Sequence, residues 1–151
     1  HIASIKNNYS QSNNYVFFCK YILPIYKKKH NNIADLNIEI IEVILKKYFK
    51  SKVKTLRQKN MFTKHHGSNL IFEICKKNKA TKYISGPGGK NYLDLSKFQE
   101  NNIEVEFMDN KLPLEYEQQY KKIAYISDIS ALDFVLNVKQ DYKKYINLWK
   151  Y

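Results

Sequence analysis

The order of hydrophobic and polar residues predicts helices and strands that alternate along the 151-residue chain. Apolar residues recur at helical spacing over 14–29, where Pro24 is expected to kink or interrupt the helix. The best helical pattern runs over 34–49, with Leu36, Ile40, Val43 and Ile44 on the inward face. Further helices are predicted over 69–79, with Ser68 as the N-cap, over 92–99 and over most of 130–150.

Period-two alternation predicts three strands, at 52–57, 81–85 and 103–107, and 58–67 is predicted to be a polar loop. Helices that alternate with strands are typical of an α/β fold, here a small, largely parallel sheet flanked by helices. The length fits a single domain over 1–151, with 1–32 as a helical lead-in. The chain begins at His1 within an amphipathic stretch, so we expect it to be a C-terminal piece of a longer protein.

Hydropathy and cysteine usage favour a cytoplasmic protein. The longest apolar run, 15–19, is five residues long, whereas a membrane-spanning helix needs roughly 18. Cys19 and Cys75 are each surrounded by apolar residues, which predicts reduced, unbridged core thiols in a reducing compartment.

The net charge of +12 comes almost entirely from lysine, because Arg57 is the single arginine among 26 basic residues. Nucleic-acid recognition depends strongly on arginine, so nucleic acid ranks last among the predicted partners. Residues 1–90 carry a net charge of +14 and residues 91–151 a net charge of −2. A basic surface of this kind could attract an anionic small molecule such as a nucleotide or nucleotide sugar, although lysines that only solvate the surface would give the same composition. The oligomeric state is not predicted.

Three of the four glycines lie within four residues, between a predicted strand and a predicted helix. Glycine lets a backbone approach a ligand closely, and N–H groups at a helix start bind anions. We therefore predict an anion-binding turn made by Gly86, Gly88, Gly89, Lys90 and Asn91. The spacing matches neither a Walker A loop nor a dinucleotide-binding fingerprint, and a tight turn with positive φ would explain the glycines equally well.

A second polar set, Ser130, Asp133 and Asn137, falls on one face of a predicted helix. Asp133 is the acid of this set and is the candidate for orienting or deprotonating a hydroxyl or amine nucleophile. A capping box by Ser130 and Asp133, with Asn137 exposed, is the simpler explanation of the spacing. His65 and His66 are adjacent, which is not the spacing of a metal pair on a helix, and no metal site is predicted.

In several segments the sequence resembles the WbqC-like family of bacterial surface-polysaccharide gene clusters. The matching segments are 34–37, 70–94 with the glycine segment, Phe98, 103–107, 116–118 and the row Ser130, Asp133 and Asn137. The family's N-terminal His-Gln-Pro segment is not found in this sequence, and the glycine that usually follows Asn137 is replaced by Val138, Lys139 and Gln140.

The resemblance implies a role in making O-antigen or capsule, where family members have been suggested to transfer glycine or another aminoacyl group to a sugar. It also implies that the glycine segment and the polar row belong to the site, in the same or an adjoining cleft. The alternative is a non-enzymatic or truncated binding module recruited to a glycan assembly complex. The resemblance leaves open whether the chain is an enzyme, and it names no cofactor.

Overall fold

A computed structural model describes residues 1–58, 64–108, 115–127, 129–139 and 142–146 of the chain. Its helices, strands and one 3-10 turn follow one another in this order: α1 (Ile2–Tyr9), α2 (15–26), α3 (33–48), α4 (Gly67–Lys77), β1 (Lys82–Ser85), the 3-10 turn (Pro87–Asn91), α5 (Leu95–Glu100), β2 (Glu104–Phe107), α6 (Ala131–Asn137) and α7 (Tyr142–Ile146). The chain divides into one unit made of 1–54 with 112–151 and a second unit made of 55–111.

The core of the first unit lies where α2, α3 and α6 meet. Phe18 and Ile22 of α2 and Val135 and Leu136 of α6 are completely buried there. The predicted inward face of α3 is confirmed, because Ile40 and Ile44 are buried, while Leu36 and Val43 pack against the same cluster. Asn32 begins α3 by accepting a 2.9 Å hydrogen bond from the backbone N–H of Asp35.

The helix predicted around Pro24 is present, but the proline does not break it. The turn Phe18–Ile22 is π-helical, and the backbone N–H of Leu23 donates to the carbonyl of Phe18. Pro24 follows at the start of the next α-helical turn, Leu23–Tyr26. A widened turn provides room for a proline ring and removes the need for its missing N–H, so the chain stays helical to Tyr26.

The second unit contains the sheet. Strands β1 and β2 pair in parallel, with Lys82 opposite Glu104 and Ser85 opposite Phe107. Buried Phe72, Cys75, Phe98 and Ile103 form its core. These elements confirm the predicted α/β class with a small parallel sheet flanked by helices, and both strands begin one residue later than predicted.

Several local predictions are wrong. Residues 52–57 form no strand, because Val53 and Leu56 stay exposed and neither of the strands that the structure describes, β1 and β2, pairs with them. His66, not Ser68, is the N-cap residue of α4, and the Ser68 hydroxyl accepts from the backbone N–H of Asp94 at 2.9 Å. The helix predicted over 92–99 is shifted to Leu95–Glu100. The helical prediction over most of 130–150 holds for α6 and α7, and residues 140, 141 and 147–150 lie outside the described part of the chain. Residues 59–63 of the predicted loop lie outside the described part of the chain.

Both cysteines are free, as the sequence predicts. Cys75 is buried in the second unit, and burial raises the pKa of its thiol. Cys19 is exposed, so the prediction that it belongs to the core is wrong. It lies on the outer face of α2, one residue after the completely buried Phe18.

Candidate functional site

The glycine segment forms the 3-10 turn that links β1 to α5. Gly86 is extended with φ −63° and ψ 161°, and Pro87 then starts the turn, which is closed by a 3.0 Å bond from the Gly89 N–H to the Gly86 carbonyl. None of its three glycines has positive φ, in contrast to Gly67 at φ 55°. A turn that needs left-handed backbone therefore does not explain the clustered glycines.

The three glycines differ in the space around them. A Cβ on Gly86 or Gly88 would meet no atom within 4 Å, whereas one on Gly89 would lie 2.0 Å from the Ser85 hydroxyl oxygen. Gly89 is buried and is required for packing against the end of β1. Gly86, Gly88, Lys90 and Asn91 are exposed, so this part of the turn is open to a ligand.

The Asp133 carboxylate is the centre of a buried hydrogen-bond network in the first unit. It is 4% exposed, and its oxygens accept four hydrogen bonds. Oδ1 accepts from the Tyr9 hydroxyl at 2.8 Å and from Asn137 Nδ2 at 3.1 Å. Oδ2 accepts from the Tyr116 hydroxyl at 2.6 Å and from Gln118 Nε2 at 3.0 Å. All four donors are neutral side chains, and together they fill the acceptor capacity of a carboxylate.

Helix α6 brings Asp133 and Asn137 together as predicted, since residues four apart share a helix face. Ser130 caps the helix by accepting from the Leu132 N–H at 3.1 Å, while its own side chain is exposed. The capping-box explanation is right for Ser130 but not for the Asp133 side chain, which turns to Tyr9 and Tyr116. Asn137 is buried rather than exposed.

Three of the donors to Asp133 come from residues that sequence reasoning did not single out individually. Tyr9 ends α1, while Tyr116 and Gln118 lie in a segment without regular structure. The Gln118 amide is fixed in turn, because it donates to the Ile126 carbonyl at 2.9 Å and accepts from the Ile126 N–H at 3.0 Å. The resemblance over 116–118 was the one signal that pointed to this segment.

Burial is the main cause that raises the pKa of the Tyr9 and Tyr116 phenols well above the ordinary value, and the hydrogen bond to Asp133 is the second. In the unfolded chain both phenols would lose their protons near pH 10. Above that pH the unfolded state therefore binds fewer protons than the folded state, and the free energy of unfolding falls as pH rises.

We expect Tyr116→Phe to reduce the loss of stability between pH 10 and 11.5, because it removes one of the groups that stay protonated only in the folded protein. Urea unfolding of the wild type and the variant across this range measures the two slopes. The exposed Tyr92→Phe is the control and should keep the wild-type slope. Identical slopes for Tyr116→Phe and the wild type would contradict the assignment.

A polar groove of about 500 Å³ lies directly beside this network. We call it the Asn137 groove, and its lining residues are Asn13, Glu117, Asn137, Val138, Lys139, Lys144 and Tyr145. Asn137 belongs to both features, since its amide donates to Asp133 and the residue is one of those that line the groove. A ligand in the groove would therefore meet a residue whose position depends on Asp133.

The predicted site residues fall into both units of the chain. Gly86, Gly88, Gly89, Lys90 and Asn91 belong to the second unit, and Ser130, Asp133 and Asn137 to the first. A cleft common to the two sets thus stays a prediction. His65 and His66 are both exposed. Within the described ranges, no group of three or more His, Cys, Asp or Glu side chains is arranged to hold a metal ion.

Residues 1–145 of the chain match the WbqC-like protein family. The chain belongs to this family. The match extends over both units, and thus over the glycine turn as well as the Asp133 network. Among the described residues of this WbqC-like chain, no helix has the length and apolar composition to cross a membrane.

The WbqC-like chain is similar to the uncharacterized protein Rv1507c of Mycobacterium tuberculosis, with 24% identity over 147 residues. The similarity covers 97% of this chain and 62% of the relative, so the chain spans less than two thirds of that protein's length. No solved structure gives a significant match.

Proposed function

We propose that this WbqC-like protein acts in the synthesis of bacterial O-antigen or capsule, by transferring an aminoacyl, glycine-like group to a sugar or nucleotide sugar. Family membership supports the surface-glycan role. The observation that carries the choice of site is the buried Asp133 carboxylate, which shares Asn137 with an open polar groove. Synthesis of such precursors from activated sugars suits the cytoplasmic location that the sequence favours.

Asp133 is proposed as the residue that orients the site. Its four acceptor positions are filled by side chains of the protein, so it could deprotonate a nucleophile only after releasing one of them. It fixes the Asn137 amide, whose Nδ2 donates to the Asp133 carbonyl and carboxylate, and the remaining Asn137 oxygen is proposed to accept from the substrate hydroxyl or amine at the groove. This arrangement favours orientation over proton abstraction by Asp133.

The glycine turn is proposed as the binding site for an anionic group of a substrate, formed by Gly86, Gly88, Gly89, Lys90 and Asn91. The open space at Gly88 and the exposed ammonium group of Lys90 support this role. Lys90 Nζ lies 5.5 Å from the centre of the Phe107 ring, so the ring helps to place the charge. Ser130, at the start of α6, is proposed to belong to the site in the first unit.

We expect Gly88→Val to abolish binding of the anionic ligand and to leave the protein folded. A Cβ at this position would meet no atom of the protein within 4 Å, and the valine side chain would fill the space that a ligand needs. Thermal-shift titration with nucleotides, nucleotide sugars and amino acids measures the binding, because a site ligand raises the apparent stability by mass action. Lys79→Gln, an exposed change in the same unit, should leave the shift intact. If Gly88→Val bound the same ligand with wild-type affinity, the turn would not be the site.

The alternative function is a non-enzymatic binding module recruited to a glycan assembly complex. It is favoured by the saturated hydrogen bonding of Asp133, which a purely structural acid would also show. An aminoacyl-transfer assay on the purified protein separates the two. Transfer that is lost in Asn137→Ala supports the enzyme, whereas ligand binding with no turnover supports the binding module.

A further inference from the structure

The Asn137 groove combines two kinds of polar group. Asn13 and Asn137 contribute side-chain amides. Asn137 Nδ2 already donates to the Asp133 carbonyl and carboxylate, so Asn137 offers its side-chain oxygen as an acceptor. Asn13 uses one N–H on the Asn137 carbonyl at 3.3 Å and keeps a second N–H and its oxygen for a sugar hydroxyl. Lys139 and Lys144 contribute ammonium groups, which bind phosphate as point charges. A volume of about 500 Å³ is within the ordinary range for small-molecule sites.

Two residues near the lysines, Val138 and Tyr142, contact Tyr48 of α3. The Tyr48 hydroxyl donates to the Val138 carbonyl at 2.5 Å, immediately before Lys139. The Tyr142 ring lies 5.1 Å from the Tyr48 ring, which holds the start of α7 against the same residue. Val138, directly before Lys139, and Tyr142, two residues before Lys144, are therefore both held against Tyr48.

Lys144 is also positioned by an aromatic ring. Its Nζ lies 5.0 Å from the centre of the Tyr145 ring, and Tyr145 packs edge-on against Phe134 at 5.6 Å. A cation held over a ring whose other contacts are in the core loses less freedom when it binds an anion.

Among the described residues, the acids near the groove do not pair with its two lysines. Glu117 lines the groove, but it forms an ion pair with Lys121, which also holds the pKa of its carboxyl below the usual range. Among the described residues no ion pair joins an acid to Lys139 or Lys144. Within the described part of the chain, the two ammonium groups are therefore available to an anionic ligand.

We propose that the Asn137 groove binds a sugar joined to a pyrophosphate, with the sugar hydroxyls at Asn13 and Asn137 and the pyrophosphate at Lys139 and Lys144. This inference rests on the proposed function and deepens it, because it assigns the sugar substrate and its pyrophosphate to the groove and leaves the glycine turn to the anionic group of the second substrate. Nucleotide-linked and lipid-linked sugars share this chemistry, and the experiment distinguishes the two sources.

Isothermal titration of the full chain with UDP-N-acetylglucosamine and with a short-chain prenyl pyrophosphate-linked N-acetylglucosamine tests the proposal. The double variant Lys139→Gln/Lys144→Gln should weaken binding at least tenfold. Lys143→Gln is the matched control, because Lys143 is an exposed lysine of α7 that does not line the groove, and it should change affinity less than twofold. Binding of one probe alone identifies the source, and binding of both supports the shared chemistry.

Three results would overturn the proposal. The first is that neither probe binds. The second is that the double variant binds as tightly as Lys143→Gln, and the third is that free N-acetylglucosamine binds as tightly as its pyrophosphate-linked form.

Asn13→Ala tests the sugar end of the groove. It should reduce the preference for UDP-N-acetylglucosamine over UDP, whereas the control Asn7→Ala should not. Equal preference in the two asparagine variants would contradict the assignment of the sugar to Asn13.

A transfer assay separates failure of this proposal from failure of the proposed function. If the lysine pair is needed for binding but no aminoacyl group is ever transferred, the groove assignment stands and the reaction is wrong. If transfer occurs with an unchanged KM for the sugar substrate in the lysine double variant, the reaction stands and the groove assignment is wrong.

Discussion

Asp133→Asn is expected to lower the free energy of unfolding by about 3 kcal/mol. Each carboxylate oxygen accepts from a tyrosine hydroxyl and from a side-chain amide, and the group is 4% exposed. An asparagine amide would place an NH2 group against two donors and would weaken the bonds on the remaining oxygen by removing the charge. Urea unfolding at neutral pH, followed by circular dichroism, measures the change.

Asp94→Asn is the matched control for this change. The Asp94 carboxylate is exposed and accepts from the Ser96 hydroxyl at 2.7 Å, so its replacement should cost less than about 1 kcal/mol. If the two variants lost similar amounts of stability, Asp133 would not be the centre of a buried network. The reactivity of the exposed Cys19 thiol serves as a check that both variants are folded, and it should be unchanged in either of them.

The spacing of residues predicted which side chains share the polar face of α6, but not which residues surround that face. The spacing of Asp133 and Asn137 placed both on one side of the helix, and that much follows from helical geometry. The donors Tyr9 and Tyr116 are 124 and 17 residues away from Asp133 along the chain. Such long-range pairs leave no periodic signal, so the burial of the network could not be derived from spacing.

Two segments with alternating polar and apolar residues, 103–107 and 52–57, show why a predicted strand does or does not form. Residues 104–107 become β2 because Ile103, directly before the strand, is buried in the core of the second unit and Val105 packs against that core. Glu104 and Glu106 both form ion pairs with Lys82 of β1. Residues 52–57 alternate as well, but Val53 is 68% exposed. Alternation fits a strand only where a neighbouring surface buries one face, and that surface is decided by the tertiary fold.

Gly89→Ala is expected to destabilise the protein by about 3 kcal/mol, whereas Gly88→Ala in the same turn should cost less than about 1 kcal/mol. The added methyl at 89 would lie 2.0 Å from the Ser85 hydroxyl oxygen and 3.1 Å from both Ser85 Cβ and Leu93 Cδ1. Ser85 is 2% exposed at the end of β1, so neither it nor the turn can move without disturbing the sheet. Urea unfolding of both variants measures the difference.

The steric cause can be isolated with a double-mutant cycle on Ser85. Ser85→Ala alone loses the 3.0 Å hydrogen bond from its hydroxyl to the Gly86 carbonyl and should cost about 1 kcal/mol. In Ser85→Ala/Gly89→Ala the closest clash disappears, since the hydroxyl oxygen is gone and only contacts at 3.1 Å remain. The double variant should therefore be more stable than the sum of the single changes, by about 1 kcal/mol or more. Strict additivity would mean that Gly89 is required for some reason other than its packing against Ser85.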